Sequence, residues 1–218
     1  MAEEPTARLY ELFANLLEYP TPALARQAQA CGERLAEVRP EAAGLLERFC
    51  RTVEDAPLER MEELYTSTFD MQPVSYPYVG YHLFGESYKR GIFMAQLNGG
   101  YHERGFSAGS ELPDHVAVVL RFLALTTAGT VVPWPACHRK GSGLHSAQAL
   151  GTLQGRQSRP KGGREDDFSR ALLYEGLVPT LGKMAQAFGD QNGNPYAAVV
   201  LALLQLLTDK TEGGMGDA

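Results

Sequence analysis

The sequence predicts an all-α protein that folds as a single-domain bundle of about eight helices over residues 1–218. Apolar residues recur at three- and four-residue steps through most of the chain, which is the period of one helix face. No segment has the sustained alternation of polar and apolar residues that is typical of a half-buried strand. With 218 residues, 44% of them hydrophobic, the chain is long enough to bury a substantial core.

Two helices are predicted before residue 40, at 6–18 and at 21–38. The apolar face of the first is made of Leu9, Phe13, Leu16 and Leu17. Pro20 and Pro22 separate the two helices, because proline lacks the backbone donor and disfavours helical geometry in the residue before it. Thr21 is the expected N-cap of the second helix.

The third and fourth helices are expected to begin at Pro40 and Pro57, since proline is favoured in a first helical turn. Their predicted inward-facing residues are Leu45, Leu46, Phe49 and Val53 in the third helix and Leu58, Met61, Leu64, Tyr65 and Phe69 in the fourth. Residues 70–80 then lose the helical period and carry two prolines and two tyrosines. This composition indicates a structured loop.

Two more helices are predicted after this loop. The first starts near Glu86, ends near Gly105, and has an apolar face made of Tyr88, Ile92, Phe93, Leu97 and Tyr101. The second starts within residues 110–114, where an early proline and acids facing the positive end of the helix dipole favour a helix start. Its expected buried residues are Val116, Val119, Leu120, Leu123 and Ala124.

Residues 128–164 are predicted to form a long flexible loop. They are rich in Gly, Ser, Gln and Arg, and residues 131–164 contain six basic residues and no acid. Such a composition buries little apolar surface, although an unstructured connection of this length is unusual inside a compact domain. An inserted segment and a sequence artefact stay open as alternative interpretations.

The last two helices are predicted to begin at about Asp166 and at Pro195. Pro179 is expected to kink the first of them, and Asn194 is expected to cap the second. The final helix is apolar almost all round, which indicates a central position in the core. Residues 209–218 are predicted to be a loose tail.

Composition argues against several classes of protein. The net charge of −6 argues against a general nucleic-acid binder, since phosphate contacts need a concentrated basic face. No apolar run approaches the roughly 20 residues of a membrane-spanning helix, and the first residues lack the basic and apolar regions of a signal peptide. Three widely spaced cysteines, Cys31, Cys50 and Cys137, predict reduced thiols and a cytoplasmic location.

Motifs for catalysis or metal binding are weak in this sequence. The candidate metal ligands with the closest spacing are Cys137, His138 and His145. An incidental loop is the simpler interpretation of these three residues. Ser87, His82 and Asp70 can be drawn as a catalytic triad, but no nucleophile elbow accompanies them. A glycine-rich phosphate-binding motif is absent from the sequence.

Two clusters of polar and aromatic residues, 81–86 and 111–115, are the strongest candidates for a functional site. Each contains a histidine beside acids and precedes a predicted helix. The alternative for the first cluster is a salt-bridged surface formed by Asp70, His82, Glu86 and Arg90. The alternative for the second is an N-cap with a solvated imidazole. A peptide-binding groove would use both clusters, because aromatic rings supply contact area and acids select basic segments.

The motifs of these clusters resemble those of a known protein family. They read Tyr65-x-x-x-Phe69-Asp70, then Tyr81-His82-Leu83-Phe84-Gly85-Glu86-x-x-x-Arg90-Gly91, then Glu111-Leu112-Pro113-Asp114-His115. They resemble the TorD/DmsD/NarJ family of molybdoenzyme assembly chaperones, and the NarJ branch, which serves nitrate-reductase-like enzymes, is the most similar. Leu112 is a departure, because in the TorD/DmsD form the proline directly follows the glutamate.

The resemblance extends beyond these motifs. It includes Tyr10-Glu11-Leu12-Phe13, Leu17-Glu18-Tyr19-Pro20 and Gly176-Leu177-Val178-Pro179. In total it covers residues 6–127 and 166–207, and no counterpart of the segment 128–164 is recognised.

The resemblance implies an all-helical cytoplasmic chaperone without catalytic turnover. Such chaperones bind the N-terminal segment of an apo molybdoenzyme catalytic subunit, hold it back from premature membrane attachment or export, and support molybdenum cofactor insertion. It also implies no metal site, no tightly bound cofactor, and only transient contact with the molybdopterin cofactor. Cofactor-biosynthesis proteins are expected as further partners, whereas nucleic acid and membrane insertion are not.

The residues expected to bind the client peptide are Tyr76, Tyr78, Tyr81, His82, Glu86, Arg90, Glu111, Pro113, Asp114 and His115. Asp114 and Glu86 are expected to pair with basic residues of the client. His115, with a pKa near the ordinary value of about 6.5, is expected to make the affinity depend on pH. The alternative is a helical regulatory or scaffold protein that binds another partner through the same groove.

Overall fold

The computed structural model describes residues 5–71, 73–128, 167–189 and 193–208, and the predicted all-α fold is confirmed. The first seven helices are α1 Pro5–Leu16, α2 Leu24–Val38, α3 Pro40–Asp55, α4 Leu58–Phe69, α5 Val79–Phe84, α6 Tyr88–Glu103 and α7 Val116–Thr127. The later ones are α8 Asp167–Ala171, α9 Val178–Phe188 and α10 Pro195–Thr208, with a π-helical segment Leu172–Leu177 joining α8 to α9.

The core is organised around α7 and α10, as the apolar sequence of the final helix predicts. Helix α1 packs against α7 and α2, and α3 packs against both α2 and α10. Residues 116–120 of α7 are all buried. In α10, Tyr196 is fully buried, and its ring contacts the rings of Phe49, Tyr65 and Phe69 at centroid distances of 5.1–5.8 Å. These aromatic contacts tie α4 to the middle of the bundle.

Several predicted helix ends are confirmed by their capping contacts. Pro40 is the first residue of α3, and Pro57 directly precedes α4. The Asn194 side chain accepts a hydrogen bond from the backbone N–H of Tyr196 (3.0 Å), so it caps α10. Thr21 has a weaker role, because its hydroxyl accepts from the Ala23 N–H at 3.4 Å, one residue before α2 begins.

Two predicted core residues lie at the surface instead. Leu45 is 40% exposed and Tyr88 is 85% exposed. Helix α3 buries Ala42, Leu46, Phe49 and Val53, so Leu45 lies just off the buried face. Tyr88 begins α6 five residues before the buried Phe93, which turns it by roughly 140° from the face that contacts the core.

The region around the two polar clusters differs from its prediction in two ways. A short helix, α5, covers most of the first cluster, and it ends at Gly85, whose φ of 63° suits glycine. Six residues are too few for a helical period to be recognised in the sequence. Helix α7 begins at Val116 rather than within 110–114, so the second cluster lies in the segment that leads into it.

The predicted irregularity at Pro179 takes the form of a π-helical segment. The Val178 N–H donates to the Leu173 carbonyl, five residues back, at the end of this segment. Proline at position 179 has no N–H for the next bond of an α-helix. The wider π-helical turn lies directly before α9, in which Pro179 is the second residue.

Other predictions fall on residues that are not described. The flexible loop predicted at 128–164 lies outside the described residues apart from Ala128, and so do Cys137, His138, His145 and the tail 209–218. In the described ranges, Cys31 is buried and Cys50 is half-buried, and both are free thiols. The helices of those ranges are all too short or too polar to span a bilayer.

Candidate functional site

Backbone pairing brings the two polar clusters together. Tyr78 and His115 form an isolated antiparallel bridge. The Val79 N–H donates to the Asp114 carbonyl (2.7 Å), and the Val116 N–H donates to the Pro77 carbonyl (2.9 Å). The N-terminus of α5 therefore lies directly beside the N-terminus of α7.

Asp114 is held by Arg90 in the interior of the protein. Arg90 Nε donates to Asp114 Oδ2 at 2.8 Å, and Nη2 donates to Oδ1 at 3.3 Å. The Asp114 carboxylate is completely buried, and the Arg90 side chain is 17% exposed. Asp114 therefore pairs with Arg90 within the fold, which leaves its carboxylate unavailable to the client cation that it was predicted to bind.

The ion pair between Arg90 and Asp114 leaves room only for glycine at position 80. A Cβ atom at position 80 would lie 2.7 Å from Asp114 Oδ2 and 3.0 Å from Arg90 Cγ. The carboxylate thus packs directly against the backbone of α5, and no larger residue fits between them.

The same arginine also positions Tyr78. The guanidinium carbon of Arg90 lies 5.0 Å from the centre of the Tyr78 ring, which is a cation–π contact. The Tyr78 ring in turn meets the His115 ring edge to face at 5.3 Å. Tyr78 therefore lies between Arg90 and His115 and contacts both of them.

His115 is a buried helix cap. Its Nδ1 accepts a hydrogen bond from the Ala117 N–H (3.1 Å), and the residue is only 3% exposed. Burial lowers the pKa of the imidazole, although the nearby Glu111 and Glu18 carboxylates oppose this shift. The alternative of an N-cap is therefore right for His115, but its solvated imidazole and the expected ordinary pKa are wrong. The ring is neutral, with Nδ1 as acceptor and the proton on Nε2.

Pro113 also has a structural contact. It is buried, and its carbonyl accepts a hydrogen bond from the Tyr101 hydroxyl (2.9 Å). Burial raises the pKa of Tyr101, so this hydroxyl keeps its proton. The contact fastens the segment before α7 to the end of α6.

Tyr76, Tyr81 and His82 form a separate cluster on α5 and the loop before it. The rings of Tyr76 and Tyr81 lie 4.1 Å apart, and His82 Nε2 donates to the Tyr76 carbonyl at 2.7 Å. Lys183 of α9 donates to the His82 carbonyl at 2.5 Å. Burial lowers the pKa of His82, and the charge of Lys183 lowers it further.

The catalytic triad drawn from the sequence does not form. The Ser87 hydroxyl donates to the Phe84 carbonyl at 2.9 Å, and His82 is engaged with the Tyr76 backbone. Over the described ranges, His, Cys, Asp and Glu side chains nowhere gather in a group of three or more that fits a metal ion. The alternative metal ligands, Cys137, His138 and His145, lie outside those ranges.

A solvent-open cleft adjoins the paired clusters, and we call it the acidic cleft. It encloses about 970 Å³ including its open mouth. Its lining residues are Glu18, Tyr19, Tyr65, Phe69, Asp70, Pro77, Tyr78, Ser110, Glu111 and His115. Of the ten residues predicted to bind a client, Tyr78, Glu111 and His115 line the cleft. Glu86 is exposed but is not part of the lining.

The prediction omitted most of the lining. The turn after α1 contributes Glu18 and Tyr19, and the last part of α4 with its C-cap contributes Tyr65, Phe69 and Asp70. These residues are part of the sequence motifs that resemble the chaperone family, so those motifs could have identified them as candidate site residues. Their convergence on residues 110–115 depends on tertiary packing, which no local pattern reveals.

The cleft is electrostatically negative. Burial raises the pKa of Tyr65, and Tyr78 and the carboxylates of Glu111, Glu18 and Asp70 raise it further. Arg121 compensates Glu18 by donating to both of its carboxylate oxygens. Within the described part of the chain, Asp70 and Glu111 have no ion-pair partner, so they give the cleft its excess negative charge.

Comparison with known proteins supports the resemblance. A family model described as nitrate reductase delta subunit matches residues 33–136. Over 120 residues the chain is 32% identical to the nitrate reductase molybdenum cofactor assembly chaperone NarJ of Escherichia coli (strain K12), and equally to that of Escherichia coli O157:H7. The matches cover 52% of this chain and 50% of each relative, so the chain spans about half the length of the curated relatives it matches. The resemblance to NarJ-type chaperones is confirmed.

Proposed function

We propose that this NarJ-like chain is a system-specific cytoplasmic chaperone for a molybdoenzyme. It binds the N-terminal segment of the apo catalytic subunit of a nitrate-reductase-like enzyme. It supports molybdenum cofactor insertion and complex assembly before the enzyme is attached to the membrane or exported. The chain itself performs no turnover, its contact with the molybdopterin cofactor is transient, and cofactor-biosynthesis proteins are further partners.

One observation carries this proposal: the acidic cleft lies within the region of family similarity. Eight of its ten lining residues fall inside the matched residues 33–136, and the other two are Glu18 and Tyr19. The relatives matched over about half of their length are named as assembly chaperones for the molybdenum cofactor of nitrate reductase. Most of the cleft is therefore formed by residues that match the family model.

The chemistry of the cleft supports binding rather than catalysis. Its histidine uses Nδ1 to cap α7, and the second histidine, His82, is engaged by the backbone of Tyr76. Four aromatic side chains, those of Tyr19, Tyr65, Phe69 and Tyr78, line its wall, which suits the apolar face of an amphipathic helix. Carboxylates at the rim favour a client segment that carries positive charge.

The proposal is tested by producing the apo catalytic subunit of the nitrate-reductase-like enzyme from the same genome, with and without this chain. We expect a complex of the two proteins, and a molybdenum content per purified subunit that rises several-fold when the chain is present. Molybdenum is measured by mass spectrometry. Equal molybdenum content in both preparations, with no complex formed, would contradict the chaperone function and favour a regulatory or scaffold protein.

A further inference from the structure

The acidic cleft has the features of a site for one positively charged side chain. Its aromatic wall includes Tyr19, Tyr65 and Tyr78, of which Tyr19 is 55% exposed and stands edge-on to Tyr65 at 5.5 Å. The faces of such rings attract the charged head of an arginine or a lysine, and the rings also provide apolar surface for its methylene stem.

The negative charge at the rim of the cleft also favours a positively charged side chain. Asp70 follows the last residue of α4, and Glu111 lies in the segment before α7, so the two carboxylates come from separate parts of the chain. Both side chains belong to exposed residues and line the cleft. The described lining contains no Lys or Arg, and Arg121 is already engaged by Glu18 and Asn15.

His115 provides an independent indication of a ligand. Its ring is 3% exposed and lines the cleft, and Nδ1 faces the backbone of its own helix, where it accepts from Ala117. The neutral ring therefore carries its proton on Nε2. Among the described residues, no hydrogen-bond acceptor is paired with this Nε2–H. Because His115 lines the cleft, this donor is available to a ligand there, and a peptide carbonyl oxygen can accept from it.

We propose that the acidic cleft seats one arginine or lysine side chain of the client segment between Asp70 and Glu111, with the adjacent client carbonyl accepting from His115 Nε2. This inference rests on the proposed function, because it names the part of the client that the cleft recognises. The tyrosine rings contact the stem of the cation, and Glu18 stays paired with Arg121. Recognition therefore selects a basic position within an otherwise apolar segment.

A small probe tests this subsite without any client. N-acetyl-phenylalanyl-arginine amide is titrated into the full-length protein and followed by backbone amide NMR, beside the analogue in which citrulline replaces arginine. Citrulline keeps the shape and removes the charge. We expect saturable shifts around residues 70, 78, 111 and 115 with the arginine probe and at least threefold weaker binding of the citrulline probe. Equal binding of the two probes, or shifts elsewhere only, would overturn the inference.

Protein variants test the two carboxylates. We expect Asp70→Asn and Glu111→Gln each to weaken binding of the arginine probe by roughly threefold, and the double variant by about tenfold, with smaller effects at high salt. Glu59→Gln is the matched control, because Glu59 is exposed at the opposite end of α4 and is not part of the cleft lining. Equal losses in the control and in the cleft variants would overturn the inference.

A client peptide separates the two proposals. The peptide has the N-terminal sequence of the catalytic subunit, and each of its basic residues is replaced in turn by glutamine. We expect one replacement to weaken binding to the wild type but to have little further effect on the double variant. Peptide binding that is insensitive to every replacement would contradict the subsite and leave the chaperone function standing. Binding of the arginine probe without binding of the peptide or the intact subunit would uphold the subsite and contradict the chaperone function.

Discussion

At the scale of single residues, Glu111 and Asp114 have opposite roles although they lie three positions apart. Glu111 is exposed at the rim of the acidic cleft, whereas Asp114 is fully buried against Arg90. The sequence shows two acids in one motif and gives no sign of which one is buried. The difference arises because Gly80 and Arg90, from α5 and α6, surround the second carboxylate.

The two acids are therefore expected to respond differently to substitution. Asp114→Ala removes a fully buried carboxylate together with its two hydrogen bonds from the partly buried Arg90 guanidinium, and we expect the free energy of unfolding to fall by roughly 1–3 kcal/mol. Glu111→Ala is expected to change it by less than about 0.5 kcal/mol and to weaken client binding instead. Urea denaturation measures the first effect. An Asp114→Ala variant of wild-type stability would show that the ion pair does not support the fold.

His115 gives a prediction about pH. Its pKa is lowered in the folded protein, so below about pH 6.5 the unfolded chain binds the additional proton and the folded protein does not. The free energy of unfolding should therefore fall as the pH decreases through this range. In His115→Asn the side chain still caps the helix but cannot be protonated.

The expected result is a flatter pH profile for His115→Asn than for the wild type between about pH 7 and about pH 5.5. Denaturant unfolding at both pH values gives the free energy of unfolding of each protein. The quantity to compare is the change in this free energy with pH, not its absolute value. His82, whose pKa is also lowered, contributes equally to both proteins. Parallel profiles would mean that His115 is not the source of the pH dependence.

At the scale of the helices, the length of a helix decides whether it can be predicted from the sequence. The long helices were predicted because their apolar period extends over several turns and their ends carry proline or asparagine signals, as at Pro40 and Asn194. The six-residue helix α5 and the π-helical segment Leu172–Leu177 were not predicted. Both are stabilised by tertiary packing rather than by a local pattern, because α5 and the π-helical segment pack against each other.

Helix α6 contains two adjacent glycines that differ only in their surroundings. A Cβ at Gly100 would overlap the ring of Phe168, whereas a Cβ at Gly99 would meet no neighbouring atom within 4 Å. We expect Gly100→Ala to lower the free energy of unfolding by roughly 1–3 kcal/mol because Phe168 must move. Gly99→Ala is the matched control and should raise it by about 0.5–1 kcal/mol.

Thermal or urea unfolding of the two variants tests whether the Phe168 ring of α8 packs against Gly100 of α6. Opposite changes in stability are the expected result. Similar changes in both variants would show that the ring of Phe168 does not occupy the space beside Gly100.

At the scale of the whole molecule, the acidic cleft forms where three distant parts of the chain meet. They are the turn after α1, the end of α4 with the following loop, and the segment that enters α7. The fold class, most of the helices and three of the ten lining residues were predicted from the sequence. The convergence of these segments was not predicted, because it depends on the packing of α1 against α7 and on the pairing of Tyr78 with His115.

The central claim is that this cleft binds the N-terminal segment of a molybdoenzyme catalytic subunit. Calorimetric titration of the full-length chain with that segment tests it most directly, using Tyr19→Ala as the cleft variant. Tyr88→Ala is the control, because Tyr88 is 85% exposed but is not part of the cleft lining. We expect saturable one-to-one binding to the wild type, unchanged by Tyr88→Ala and weakened about tenfold by Tyr19→Ala. No binding to the wild type, or equal losses in both variants, would contradict the claim.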